Sequence, residues 1–80
     1  MLTNESIIVE KLQSGTSEIT FIKADGTLRH MTATLDVDIT GVETGLSGGP
    51  KQDVFDIAIG EWRAFTWANL QTVNGEQVKL

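Results

Sequence analysis

The stretch Thr16 to Leu35, TSEITFIKADGTLRHMTATL, decides the fold, because it reads as a β-hairpin closed by Ala24-Asp25-Gly26. Two runs rich in Ile, Thr, Phe and Met flank a three-residue turn. Gly26 stands where a type I turn with a G1 bulge needs φ > 0, a conformation that glycine adopts without a Cβ clash. That geometry sets Lys23 opposite Thr27, and hence Phe21 opposite Arg29, Ile19 opposite Met31 and Ser17 opposite Ala33. Ile19, Phe21, Met31 and Ala33 then share one face. A two-residue Asp-Gly turn would instead pair Thr20 with Met31 and split the apolar set between faces, so the first register is expected.

Upstream of the hairpin, Thr3 or Asn4 can cap a helix over residues 4–14, with Glu5 in its first turn, Ile8 and Leu12 on one face and Lys11 near its end. Gly15 stops it. Three turns are too few for stability in isolation, so the helix must dock on the sheet. Downstream, Asp36 to Thr40 loses strict alternation, and residues 41–52, GVETGLSGGPKQ, collect four glycines and the sole proline. That composition supplies turn formers and little to bury, and predicts a loose surface loop.

A second hairpin is expected over residues 53–67, with Gly60-Glu61 as a two-residue turn of the II′ or I′ kind. Phe55, Ile57, Ile59 and Trp62 fall on one of its sides, and Val54, Ala58, Phe65 and Trp67 on the other with Asp56 and Arg63. Apolar residues on both sides suit a strand pair covered on both faces. Ala68 to Leu70 reads as a short turn, Gln71 to Val73 as a last strand, and Asn74-Gly75 as a tight turn before a frayed tail. The order of helix, hairpin, loop, hairpin and short strand predicts a single, mainly β (α+β) domain over residues 1–80. Its architecture is a small SH3-like, Sm-like five-stranded barrel with an N-terminal helix over one end.

The residues that carry this pattern also carry a resemblance. TFIKADGTLRHMTATL (Thr20 to Leu35), then VFDIAIGEWRAF (Val54 to Phe65) and a closing Leu70 to Val73 resemble the small WYL-like, Sm-fold SH3-barrel proteins of tailed bacteriophages. Members of that family show a T-F-x-K-x-D-G-x-x-R-x-M-x-x-T-L hairpin and a D-x-x-x-x-x-W-R-x-F hairpin. Thr20, Phe21, Lys23, Asp25, Gly26, Arg29, Met31, Thr34 and Leu35 match the first, and Asp56, Trp62, Arg63 and Phe65 the second. The resemblance implies a fold, a phage origin and a place in the cytoplasm of the infected host cell. It implies no reaction. The helix-turn-helix of larger WYL-domain regulators has no counterpart here.

Composition bounds the function. Eighty residues bury only about 60% of the surface their unfolded chain exposes, so stability is modest unless chains associate. Without cysteine there is neither a disulfide framework nor a Cys-ligated metal. The apolar run Ile7-Ile8-Val9 is too short for a signal peptide, and no stretch approaches a membrane span, so a cytosolic setting is expected. Eleven acidic against six basic residues give a net charge of −5, which repels nucleic acid at long range.

No known catalytic motif is present, and His30, the sole histidine, alternates with Thr32, Thr34 and Asp36 as the polar side of any strand would. Asp36, Asp38 and Glu43 lack the glycine-anchored calcium-loop spacing, and Ser47-Gly48-Gly49 lacks a neighbouring phosphate-loop lysine. No catalytic residue, metal or cofactor is expected. The cations Lys23, Arg29 and Arg63 are the candidate binding residues. Arg29 opposes Phe21 and Arg63 follows Trp62, so the bland reading is salt bridges such as Arg63 with Asp56. The functional reading is an anion or single-stranded nucleic-acid patch with aromatic surface. Trp62 and Trp67 stand between core anchor and interface anchor. Asp25, Gly26 and Gly60 are turn residues.

These features point first to a non-enzymatic phage accessory module that binds a host or phage protein through sheet edge and aromatic surface. The alternative is a small-ligand or single-stranded nucleic-acid module built on the Lys23, Arg29 and Arg63 patch. A homo-oligomer with sheet edges paired as in Sm-type rings is expected, since one short final strand leaves an edge open.

Overall fold

A computed structural model describes residues 1–80. Helix α1 spans Glu5–Gln13, and Asn4 caps it: the Asn4 side-chain oxygen accepts from the amides of Ser6 and Ile7 at 2.8 and 3.3 Å. Ile8, Val9 and Leu12 are buried beneath it. The C-terminal end of α1 docks on the first hairpin through its backbone. The Leu12 carbonyl accepts from the Leu35 amide at 2.8 Å, and the Thr34 hydroxyl donates to the carbonyl of Gly15 at 2.7 Å. Groups that a helix end leaves unpaired are thereby used to fix its position.

Strands β1 (Thr16–Ile22) and β2 (Leu28–Thr34) form the first hairpin in the expected register, Phe21 opposite Arg29, Ile19 opposite Met31 and Ser17 opposite Ala33. Lys23 donates to the Thr27 carbonyl and Gly26 to that of Lys23, and Gly26 has φ 87°, the bulge geometry of the three-residue turn. Next come α2 (Val37–Thr40), β3 (Lys51–Asp56), β4 (Glu61–Thr66), a 3-10 turn at Trp67–Asn69, β5 (Leu70–Val73) and β6 (Glu76–Gln77). All strands join one antiparallel sheet in the order β4-β3-β2-β1-β5-β6, so a two-residue sixth strand is added to the five expected. The sheet is bent strongly enough that Phe21 of β1 and Phe65 of β4 approach to 6.4 Å between ring centroids, and the concave face so made holds the core.

The structure corrects four expectations. The second hairpin turns not at Gly60-Glu61 but through the four residues Ile57 to Gly60, with Asp56 opposite Glu61 and Phe55 opposite Trp62. The cause is Asp56, which is buried: its carboxylate accepts from the Ala58 amide at 3.1 Å and its carbonyl from Gly60 at 2.9 Å. A longer turn that satisfies a buried carboxylate displaces the tighter one. The pairing moves by an even number of residues, so the division between faces survives, but Ile57 leaves the strand and is only half-buried. Second, the glycine-rich segment is tethered. Strand β3 begins at Lys51, and Gln52, wholly buried, accepts from the Ser47 amide at 3.0 Å and donates to the carbonyls of Gly45 and Asp53 at 3.1 and 2.9 Å. Third, Trp67 is 4% exposed and lies edge-on against Phe65 with centroids 5.0 Å apart, which makes it a core residue. Finally, the edge of β5 is not open. β6 pairs with it, and Leu2 continues the seal, donating to the Gln77 carbonyl at 2.8 Å and accepting from Lys79 at 2.7 Å.

Candidate functional site

One end of the concave face is dry and the other wet. Along β1 the inward residues run Ser17, Ile19, Phe21, the first two buried and the last half-buried. Along β2 they run Ala33, Met31, Arg29 with the same gradient. Helix α1 covers the Ser17 and Ala33 end. The hairpin tip is left uncovered, and there the alternation places Arg29 beside Phe21 on the inner face. Strand β4 repeats the gradient, from Phe65, 2% exposed, to Arg63, which is exposed on the same face.

Between the tip and β4 lies a groove of about 260 Å³, lined by Phe21, Ile22, Lys23, Ala24, Ala64, Phe65, Thr66 and Asn69. Phe21 and Phe65 line it with one cation, Lys23. Arg29 lies opposite Phe21 in the strand register and Arg63 two residues before Phe65 on the same inward row, both outside the lining itself. Lys23 and Arg29 form no ion pair, and Arg63 reaches Glu61 at 3.9 Å with both groups exposed, a contact worth little in water. The expected bridge from Arg63 to Asp56 does not form, because Asp56 is occupied by its own turn.

Asp25 belongs to the hairpin tip. The Thr27 hydroxyl and amide donate to its carboxylate at 2.7 and 3.0 Å; with Lys23 nearby, they hold its carboxyl below the ordinary value. Its charge is therefore engaged within the turn. Gly60, with φ 67°, closes the four-residue loop of the second hairpin.

The structure separates the two tryptophans. Trp62 lies on the outer face, 43% exposed, and meets Phe55 edge-on at 5.6 Å. Trp67 is part of the core, and its indole Nε1 is buried without a partner. Thus Lys23 lines the groove, Arg29 and Arg63 lie on the inward rows that lead to it, Trp62 is on the outer face, and Trp67 is withdrawn into the core. Phe21, Phe65, Thr66 and Asn69 were missed as groove walls. For the two phenylalanines, the signal available was their position as the last apolar residue before a cation on an inward row.

Other features carry less chemistry. A hollow of about 470 Å³ beside the end of α1 is polar, but its Ser14 and Asn74 side chains already bond to the Glu10 carbonyl and the Glu18 amide. Asp36 caps α2 through the Asp38 amide at 2.9 Å, and no three His, Cys, Asp or Glu side chains converge. No helix is long and apolar enough to cross a membrane.

Comparison with known proteins agrees with this architecture. A family model described as WYL_2, Sm-like SH3 beta-barrel fold, matches residues 6–71. The chain is similar to a protein of Enterobacteria phage T4 described as "Uncharacterized 11.5 kDa protein in Gp31-cd intergenic region", with 38% identity over 81 residues, covering 91% of this chain and 79% of the relative. No solved structure matches the chain.

Proposed function

The chain belongs to the WYL_2, Sm-like SH3 beta-barrel family, and we propose that it is a non-enzymatic phage accessory module that binds a host or phage protein at the mouth of its barrel, in the cytoplasm of the infected cell. The observation that carries this reading is the groove lined by Phe21, Phe65 and Lys23, with Arg29 opposite Phe21 in the strand register. Aromatic surface with unpaired cations suits an extended protein segment that offers an apolar side chain and a carboxylate. The groove is smaller than the 300–1,000 Å³ usual for small-molecule sites, and it is open. A net charge of −5 repels long polyanions while leaving a short acidic segment free to approach Lys23 and Arg29.

The second reading, a small-ligand or single-stranded nucleic-acid site, draws on the same cations and on stacking against Phe21. Affinity capture from infected cells with the wild type and with a Lys23→Glu/Arg29→Glu variant separates the two. The expected result is a protein enriched by the wild type and lost from the variant. Equal capture by both removes the mouth as the site. No protein capture, together with salt-sensitive retention of single strands by the wild type, moves the assignment to the second reading.

A further inference from the structure

The two ends of the sheet differ. At one end β6 and Leu2 seal β5; at the other β4 has a neighbour only on its β3 side. The Trp67 amide donates to the Pro50 carbonyl at 2.9 Å, one step beyond the pair Lys51 and Thr66, so the odd-numbered residues of β4 bond towards β3. By the alternation of an antiparallel ladder, Trp62, Ala64 and Thr66 direct their amides and carbonyls into the free edge. Glu61, Trp62, Arg63 and Ala64 are all exposed along it. A shorter open stretch lies on β2, where β3 pairs only with Ala33 and Thr34. There only Leu28 and His30 point outward.

We propose that β4 pairs with β4 of a second copy of this chain, antiparallel about a two-fold axis through Trp62. The order of residues along the edge is its own complement. In this register Glu61 opposes the partner's Arg63, and Arg63 opposes the partner's Glu61, on the inner face. On the outer face Trp62 meets the partner's Trp62, beside Phe55 of each chain. The backbone groups of Trp62 gain partners, and the weak contact of 3.9 Å within each of the two chains is exchanged for a directly opposed pair across strands, two for two. A slip to an axis at Ala64 places Arg63 opposite Phe65 and Glu61 opposite Trp67, leaving both charges without partners. Isologous pairing of this kind uses the same patch on both chains and closes on itself. Ring assembly through β5 is blocked by β6. The inference goes beyond the mouth reading and does not depend on it: the paired stretch takes in Arg63 and Ala64 at the near side of the groove and leaves Phe21, Lys23 and Arg29 outside the contact.

The test is the mass in solution across a dilution series, by light scattering or sedimentation, with no other component present. The expected mass at high concentration is that of two chains of 8.7 kDa. Glu61→Arg alone and Arg63→Glu alone each set like charges opposite one another at two places and weaken association by about tenfold or more. The double variant Glu61→Arg/Arg63→Glu restores it. Both positions are exposed, so circular dichroism is expected to show every variant folded. A single-chain mass at all concentrations, a mass of three or more chains, or a double variant no better than the singles would overturn the proposal. Capture at the mouth is read separately, through the Lys23→Glu/Arg29→Glu variant, whose two positions lie outside the paired stretch.

Discussion

Replacing Phe65 with alanine removes the ring that joins the two hairpins. Phe65 is 2% exposed, meets Trp67 edge-on at 5.0 Å and lies 6.4 Å from Phe21. Deleting a phenylalanine from a packed core costs about 3–5 kcal/mol, the upper part applying where neighbours cannot collapse into the space. Here they are held: Trp67 is fixed by the hydrogen bond from its backbone N–H to the Pro50 carbonyl, and Phe21 by strand pairing on both sides. A domain of this length has a total stability of about 4–12 kcal/mol, so the variant loses a third of it or all of it. With a urea dependence near 1 kcal/mol per molar, the midpoint falls by about 3 M or more, or the variant is unfolded in water. Trp62→Ala provides the contrast. Its side chain is 43% exposed and gives up mainly the edge-on contact with Phe55, which costs about 1–2 kcal/mol. Urea unfolding followed by far-ultraviolet circular dichroism, which does not depend on either tryptophan, reads both. A folded Phe65→Ala protein with an unchanged midpoint, or a Trp62→Ala protein damaged more than Phe65→Ala, would refute the placement of Phe65 inside and Trp62 outside.

Three further outcomes are expected. Gly26→Val destabilises by about 1–3 kcal/mol in thermal melts through backbone conformation alone, since φ is 87° and an added Cβ meets nothing within 4 Å. A neutral melt would refute the bulge. Gln52→Ala leaves the Ser47 amide and the Gly45 carbonyl without partners and costs about 1–3 kcal/mol, and hydrogen exchange in residues 41–50 accelerates with it. Unchanged exchange there would show that the loop is held by something else. Because the carboxyl of Asp25 is held below its ordinary value of 3.8 in the folded chain, the unfolded chain takes up the proton first. The stability that Asp25 contributes is present above pH 3.8 and is lost as the pH falls below it. Asp25→Ala flattens that part of the acid unfolding profile, whereas a profile identical to wild type would remove Asp25 from it.

The first hairpin was legible because its turn is local: Ala24-Asp25-Gly26 sets the register by itself, and a slip would have scattered Ile19, Phe21, Met31 and Ala33. The second was not, because its turn length depends on the burial of Asp56, a tertiary fact that turns a carboxylate into a cap for Ala58. Trp62 and Trp67 look alike in the sequence. They part by alternation, which sets Trp62 beside Phe55 on the outer side and Trp67 beside Phe65 on the inner, and the Trp67 amide continues the ladder to the Pro50 carbonyl. Gln52 carried no local sign of burial, since a glutamine in a turn-rich segment reads as surface until its amide is seen to meet Ser47 and Gly45. β6 is two residues long and has no periodicity to detect. The mouth was half visible: the register put Arg29 against Phe21, but the arrival of Phe65 beside Phe21 required the bend of the whole sheet.

The seal that Glu76, Gln77 and Leu2 place over β5 also bears on what happens when the protein is crowded. A sheet with two raw ends can accept a neighbour at each, and such growth propagates into fibrils. With one end capped by its own chain, this sheet has one free end strand, β4, beside the short open stretch of β2, and any strand that pairs with β4 uses that end up. Stripping residues 76–80 would uncover β5 and supply a second growing point, converting self-limiting association into head-to-tail polymerisation. In an assembly built through β4, the short C-terminal strand, whose Glu76 and Gln77 are exposed, would act as its chain terminator.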